Sequence, residues 1–169
     1  TQSRLMQEQA GKLILCDTRK TTPGWRYLEK YAVRVGGGKN HRFSLCDMIL
    51  VKNNHIDANA GDVKKTLEKI FPSKPQYTPV QVEVRNLSEL KAALDFPINS
   101  IMFDNMQDAE MLEGLELIRK GKREIQVEAS GRVSAERFKS LEAIGCASLS
   151  SLVHARSSVD ISLKLETDG

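Results

Sequence analysis

Apolar runs of strand length alternate along this chain with segments of helical periodicity, and that alternation constrains the fold more than any other feature. The runs are LILC (13–16), MILV (48–51), VQVEV (80–84), SIMF (100–103), EIQVEAS (124–130), CASLSSLV (146–153) and DISLKL (160–165). Between them the spacing predicts helices over 25–35, 57–71, 87–95, 108–121 and 134–145, and residues 1–11 read as a helix end closed by Gly11. In 25–35 the apolar face is expected to be Trp25, Leu28, Tyr31 or Ala32, and Val35. Strands joined through helices lie parallel, with the helices outside the sheet. No linker or low-complexity segment interrupts the pattern, so residues 1–169 read as a single domain.

Six or seven such units make either an open doubly wound sheet or a closed barrel. Asp17, Glu83, Asp104 and Glu128 each fall at or near the C-terminal end of a predicted strand. In a barrel those ends converge on one mouth, where the chemistry of such folds is placed, whereas an open sheet spreads them along an edge. The pattern favours a parallel α/β barrel.

Composition narrows the function. A net charge of +3 with no basic tail excludes a nucleic-acid binder working through bulk charge. No apolar run approaches membrane length, and the opening residues lack the apolar centre of a signal peptide, so a cytoplasmic protein is expected. The chain opens without Met in the middle of a helix and is read as a fragment of a longer protein. Cys16, Cys46 and Cys146 are odd in number and widely spaced, which suits reduced thiols serving as small core residues. Trp25 is expected in the core or between subunits.

The positive charge is local. Arg19-Lys20, His41-Arg42 and Lys52 near His55 form three tight clusters, each beside an apolar run or a glycine turn. Brought together they would form a pocket that is costly unless a small, multiply charged anion fills it. DTRK (17–20) taken alone reads more readily as a polar turn that caps a helix, and a strand-end Lys52 often only reaches for water. The triplet Gly36–Gly38 exceeds what a helix stop needs and is expected to expose backbone N–H groups to the anion. Glu83 and Asp104 could hold Mg²⁺ through water or grip sugar hydroxyls, although Asp104-Asn105 also resembles a helix cap. SGR (130–132) and SLSS (148–151) read as phosphate loops at helix N-termini.

The stretch LCDTRKTTPGWRYLEKYAVRVGGGKNHRFSLCDMILVKNNHI (15–56) resembles the signature of quinolinate phosphoribosyltransferase, also called carboxylating nicotinate-nucleotide pyrophosphorylase. The resemblance continues through VEV (82–84), IMFDNM (101–106), VEASG (127–131) and DISLKL (160–165). It implies an incomplete α/β barrel of about six or seven strands, preceded in the family by a sandwich domain that this chain lacks. It also implies a homodimer in which each sandwich domain covers the partner's barrel mouth. The implied reaction joins quinolinate to phosphoribosyl pyrophosphate with Mg²⁺, releasing pyrophosphate and carbon dioxide and giving nicotinate mononucleotide for NAD synthesis.

By position, the resemblance assigns Arg19, Arg42 and Lys52 to the two carboxylates of quinolinate, with Lys20 and His41 beside them. Glu83 and Asp104 would meet the ribose hydroxyls and Mg²⁺, and Lys20, Glu83 and Asp104 form the implied catalytic set. Ser130, Gly131 and Ser150 fall in the 5′-phosphate grip. There the chain departs from the family, with Arg132 in place of a second glycine and Leu149-Ser150-Ser151-Leu152 in place of a V-G-A-L run. A paralogous barrel of the molybdenum-operon type, or a degenerate one binding another anionic metabolite, is the alternative that these departures keep open.

Overall fold

The computed structural model describes residues 2–154. The chain opens with α1 (Gln2–Ala10), closed by Gly11 at φ +61°. Next come β1 (Ile14–Cys16), α2 (Arg26–Val35), β2 (Ile49–Val51), α3 (Asn53–Asp57) and α4 (Val63–Ile70). β3 (Val80–Val84), α5 (Leu87–Leu94), β4 (Ser100–Asp104), α6 (Asp108–Lys120), β5 (Gln126–Ser130), α7 (Phe138–Leu141) and β6 (Cys146–Ser148) complete the series. The strand expected at 160–165 lies outside the described residues.

All the strand pairs are parallel, in the order β1-β6-β5-β4-β3-β2. From β2 to β6 every strand lies beside its neighbour in the chain, and β6 returns to pair with β1. That is the winding of a barrel rather than of a doubly wound sheet, which reverses direction at an internal strand. Among the described residues, only the β1–β2 seam lacks strand pairing. On the free edge of β1 the segment after α2 takes its place: Lys39 N–H donates to Leu15 O at 2.8 Å, and Asp17 N–H to Lys39 O at 3.1 Å. Among the described residues the barrel therefore has six strands and one seam without strand pairing.

Strand alternation separates the two faces. Val80, Val82 and Val84 are fully buried in the hydrophobic core, while Gln81 and Glu83 turn to polar partners in the barrel interior. On β4, Phe103 packs so closely under α6 that a Cβ on Gly114 would stand 2.9 Å from its ring. Leu90, Ala93, Met111, Leu115 and Ile118 close the layer between sheet and helices.

Several expectations need correction. The helix predicted over 57–71 is broken: the chain turns through Ala60 (φ +59°) and Gly61 (φ +76°), and Asp62 caps a new helix by accepting the Lys65 N–H. Residues 134–145 form only a 3-10 turn (Ala135–Arg137) followed by α7. On α2 the face is rotated. Lys30 and Val33 are buried, whereas Trp25, Leu28, Tyr31 and Val35 are all more than half exposed, so Trp25 is not a core residue of this barrel. The cause is tertiary: Lys30 is drawn inward by Asp17, and Val33 lies against the chain where Gly38 passes.

Candidate active site

A cavity of about 860 Å³ opens at the C-terminal ends of the strands. Arg19, Lys20, His41, Arg42, Lys52, Glu83, Asp104, Ser130, Gly131 and Ser150, dispersed over 132 positions of sequence, all line it. Each sits just past a strand, at its last residues, or in the segment that fills the open seam.

The base of the cationic side is a buried ion pair that the spacing did not reveal. Asp17 is fully buried; Lys30 reaches it from α2, Asn40 Nδ2 donates to its Oδ2 at 2.6 Å, and His41 N–H donates to its Oδ1 at 2.9 Å. Lys30 also donates to His41 O at 3.0 Å. These bonds fix the backbone of residues 40–42, and Arg42 is held further by Nη1 donating to Met48 O at 2.8 Å. The Nε–H groups of both Arg19 and Arg42 are buried without a partner. Burial first, and then the charge of Arg19, pushes the Arg42 guanidinium below its ordinary value. Two half-buried, mutually repelling guanidinium groups, each with a buried Nε–H left unpaired, form a site that an anion would relieve.

His41 is oriented differently from its neighbours. Its Nδ1 accepts the Arg42 N–H at 2.9 Å, so the ring proton lies on Nε2, which faces Gln81 Oε1 at 3.0 Å and Glu128 Oε2 at 3.3 Å. Gln81 Nε2 donates to the same Glu128 oxygen at 3.0 Å. Burial alone would raise the Glu128 carboxyl, but hydrogen bonds from His41, Ser148 and Gln81 hold it below the usual range. The three side chains form a polar floor under the mouth, so the imidazole lines the cavity with one edge while its ring engages the floor. Glu128, expected at the mouth, lies beneath it.

Across the cavity, Glu83 is buried and 3.6 Å from Lys52 Nζ. Burial raises its pKa; Lys52 opposes that and the charge of Asp104 adds to it. Among the described residues no group of three or more His, Cys, Asp or Glu side chains is placed to hold a metal ion. The Glu83–Asp104 pair fits a cation held through water and ligand oxygens rather than one enclosed by protein.

The remaining wall departs from expectation in its backbone. The Gly36–Gly38 N–H groups donate to Ala32, Arg34 and Val33 carbonyls and are not free for an anion. Their small size serves packing instead: a Cβ on Gly36 would meet Ser3 Cβ at 2.7 Å. No α-helix N-terminus follows SGR directly, and only a short 3-10 turn (Ser150–Leu152) follows Leu149. Asn105, Gly131 and Arg132 all adopt left-handed φ, at +55°, +73° and +48°. A Cβ on Gly131 would stand 2.3 Å from Asn105 Oδ1, so only glycine fits there. Arg132 bears a left-handed strain of about 1–2 kcal/mol. Arg132→Gly is therefore expected to stabilise the protein by about 1 kcal/mol, read as a higher urea midpoint at unchanged slope. His154, which no local signal marked, also lines the mouth, with its Nε2 2.8 Å from Lys20 O.

Fold and site together define an incomplete α/β barrel with a polar, predominantly cationic mouth. The family model for the C-terminal domain of quinolinate phosphoribosyl transferase matches residues 1–164, and the chain belongs to that family. It is 42% identical over 135 residues to a probable nicotinate-nucleotide pyrophosphorylase [carboxylating] of Synechocystis sp., covering 80% of this chain and 45% of that protein. To the chloroplastic nicotinate-nucleotide pyrophosphorylase [carboxylating] of Arabidopsis thaliana it is 37% identical, covering 99% of this chain and 53% of the relative. Among solved structures, NadC of Streptococcus pyogenes superposes with a TM-score of 0.81 at 38% identity over 90% of this chain and 53% of that one. The chain thus spans about half the length of the curated relatives it matches.

Proposed function

We propose that the protein containing this barrel transfers phosphoribosyl from phosphoribosyl pyrophosphate to quinolinate with loss of carbon dioxide, giving nicotinate mononucleotide for NAD synthesis. The observation that carries the reading is the pair of unpartnered Nε–H donors on Arg19 and Arg42, buried at one mouth with Lys20 and Lys52. A planar dicarboxylate presents two anionic groups at fixed separation, which suits two guanidinium forks better than a single carboxylate does.

In this reading Arg19, Arg42 and Lys52 hold the pyridine dicarboxylate so that its ring nitrogen faces the ribose C1. Lys20, at the exposed edge of the cavity, meets the charge that develops on the departing pyrophosphate. Glu83 and Asp104 accept hydrogen bonds from the ribose hydroxyls opposite, and Ser130, Gly131 and Ser150 meet the 5′-phosphate. Once the ring nitrogen is quaternary, the adjacent carboxylate leaves as carbon dioxide, its bonding electrons stay on the ring, and a proton replaces it. Mg²⁺, held through water by Glu83 and Asp104, would supply charge neutralisation for pyrophosphate.

Glu83 must be ionised to bind a cation. Because its pKa is raised, affinity for Mg²⁺ with phosphoribosyl pyrophosphate is expected to fall on acidification at a higher pH than an ordinary glutamate would impose. Calorimetric titration across pH, compared with Glu83→Gln, checks this; an unchanged profile in the variant contradicts it. The effect on folding has the opposite sign, since a carboxyl raised in the folded state lends stability at low pH that is lost as pH rises through its folded pKa.

A sandwich domain preceding the barrel, and a homodimer in which it covers the partner's mouth, belong to the same proposal. Among the described residues no helix is long and apolar enough to cross a membrane, and we place the protein in the cytoplasm. The deciding experiment supplies the full-length protein with quinolinate, phosphoribosyl pyrophosphate and Mg²⁺ and follows nicotinate mononucleotide. Turnover of nicotinate but not of quinolinate, or of neither, would overturn the reading.

A further inference from the structure

Beneath the polar floor a second cavity, of about 480 Å³, opens at the N-terminal ends of the strands, and both Cys16 and Cys146 line it. We propose that these two thiols form a reversible dithiol–disulfide site that ties the first strand of the barrel to the sixth. Their Sγ atoms are 3.3 Å apart, although 130 positions separate the residues in the chain. The register explains the meeting. Cys16 stands opposite Ser148 and Cys146 opposite Ile14 on the paired strands β1 and β6, so the two side chains project to the same face and lean together along the diagonal. Closing from contact to a bond near 2.05 Å brings the sulfurs about 1.3 Å nearer, together with a small approach of the two strands, because diagonal partners start farther apart than directly opposed ones.

The location gives the bond a consequence. Among the described residues, β1 pairs with a strand on one edge, β6, and its other edge is bridged by Lys39. Cys16 directly precedes the turn that carries Arg19 and Lys20, and Cys146 lies at the start of the strand leading to Ser150. Thr18 Oγ1, just past β1, already approaches Ser150 Oγ, just past β6, at 3.5 Å. A covalent tie between β1 and β6 would fix the relative position of these two walls of the mouth. Cys146 is partly exposed, which gives a small oxidant access, whereas the exposed Cys46 does not line the pair's cavity. Contact with Cys16, then burial, keeps the Cys146 thiol protonated, so exchange at neutral pH is slow.

The step balances with a low-molecular-mass disulfide as oxidant. One cysteine thiolate attacks the disulfide and expels a first small thiol, leaving a mixed disulfide. The second cysteine then attacks the bound protein sulfur and expels the other small thiol. Two electrons pass from the protein sulfurs to the reagent, and the two protons leave on its thiols.

The test incubates the folded full-length protein with oxidised glutathione at mildly alkaline pH, blocks remaining thiols and maps tryptic peptides by mass spectrometry. A linked pair of peptides 13–19 and 140–156, abolished by dithiothreitol, is expected, with the thermal midpoint raised by roughly 5–15 °C because the bond closes a long loop in the unfolded chain. Cys146→Ser treated identically should show no such rise. The proposal is overturned if both thiols stay free in folded protein whose Cys46 is glutathionylated, if the linked peptide forms only in denaturant, or if the rise persists in Cys146→Ser.

Discussion

Arg42→Ala is expected to weaken quinolinate binding by the full-length protein roughly 30- to 4,000-fold, the 2–5 kcal/mol lost when one member of a buried, charge-assisted contact is removed. Nicotinate, with one carboxylate, should lose less than a tenth as much. The reason lies in the geometry: Nη1 of Arg42 is already committed to Met48 O, and its Nε–H is buried without a partner, so a ligand carboxylate would complete the guanidinium rather than compete for it. Arg42→Lys keeps the charge and loses the fork, and should fall between the two. Isothermal titration with both ligands decides the matter, and equal losses for the two would rule out a dicarboxylate site at Arg42.

The second large effect concerns stability. Lys30→Met should lower the unfolding free energy by about 3–5 kcal/mol, because it leaves the fully buried Asp17 carboxylate without its cation. Combining it with Asp17→Asn should recover much of the loss, since the neutral amide no longer requires a positive partner. Urea denaturation of the four proteins of this cycle measures the coupling directly. The loss should carry into the mouth as well, because Asp17 and Lys30 both hold the His41 backbone. If Lys30→Met cost less than about 1 kcal/mol, the pair could not be what anchors the cationic side.

These two predictions draw on different kinds of information. Arg19, Arg42, Lys52, Glu83 and Asp104 were readable as a set because parallel strand–helix units place every strand end on one side of the barrel. A residue just past an apolar run is thereby assigned to the mouth without knowledge of its neighbours. Lys30 was unreadable because its own helix carries a conspicuous apolar stripe, Trp25, Leu28, Tyr31 and Val35, that points elsewhere. One buried ion pair outweighed that stripe. The glycine triplet misled for a related reason: small size serves close packing on Ser3 and Leu15 as readily as it serves an anion.

By itself the sequence determined the strand–helix alternation, the parallel winding, the side of the barrel on which the charge collects, and the resemblance that named the family. Those follow from near-neighbour periodicity and from motifs that survive being read one residue at a time. It took the three-dimensional arrangement to show that, among the described residues, β1 and β2 do not pair, that His41 engages Glu128 and Gln81 in the floor, and that Cys16 meets Cys146. Each of these is a meeting of side chains distant in the chain, fixed by strand register and by the demand that buried polar groups find partners. No local pattern records such meetings.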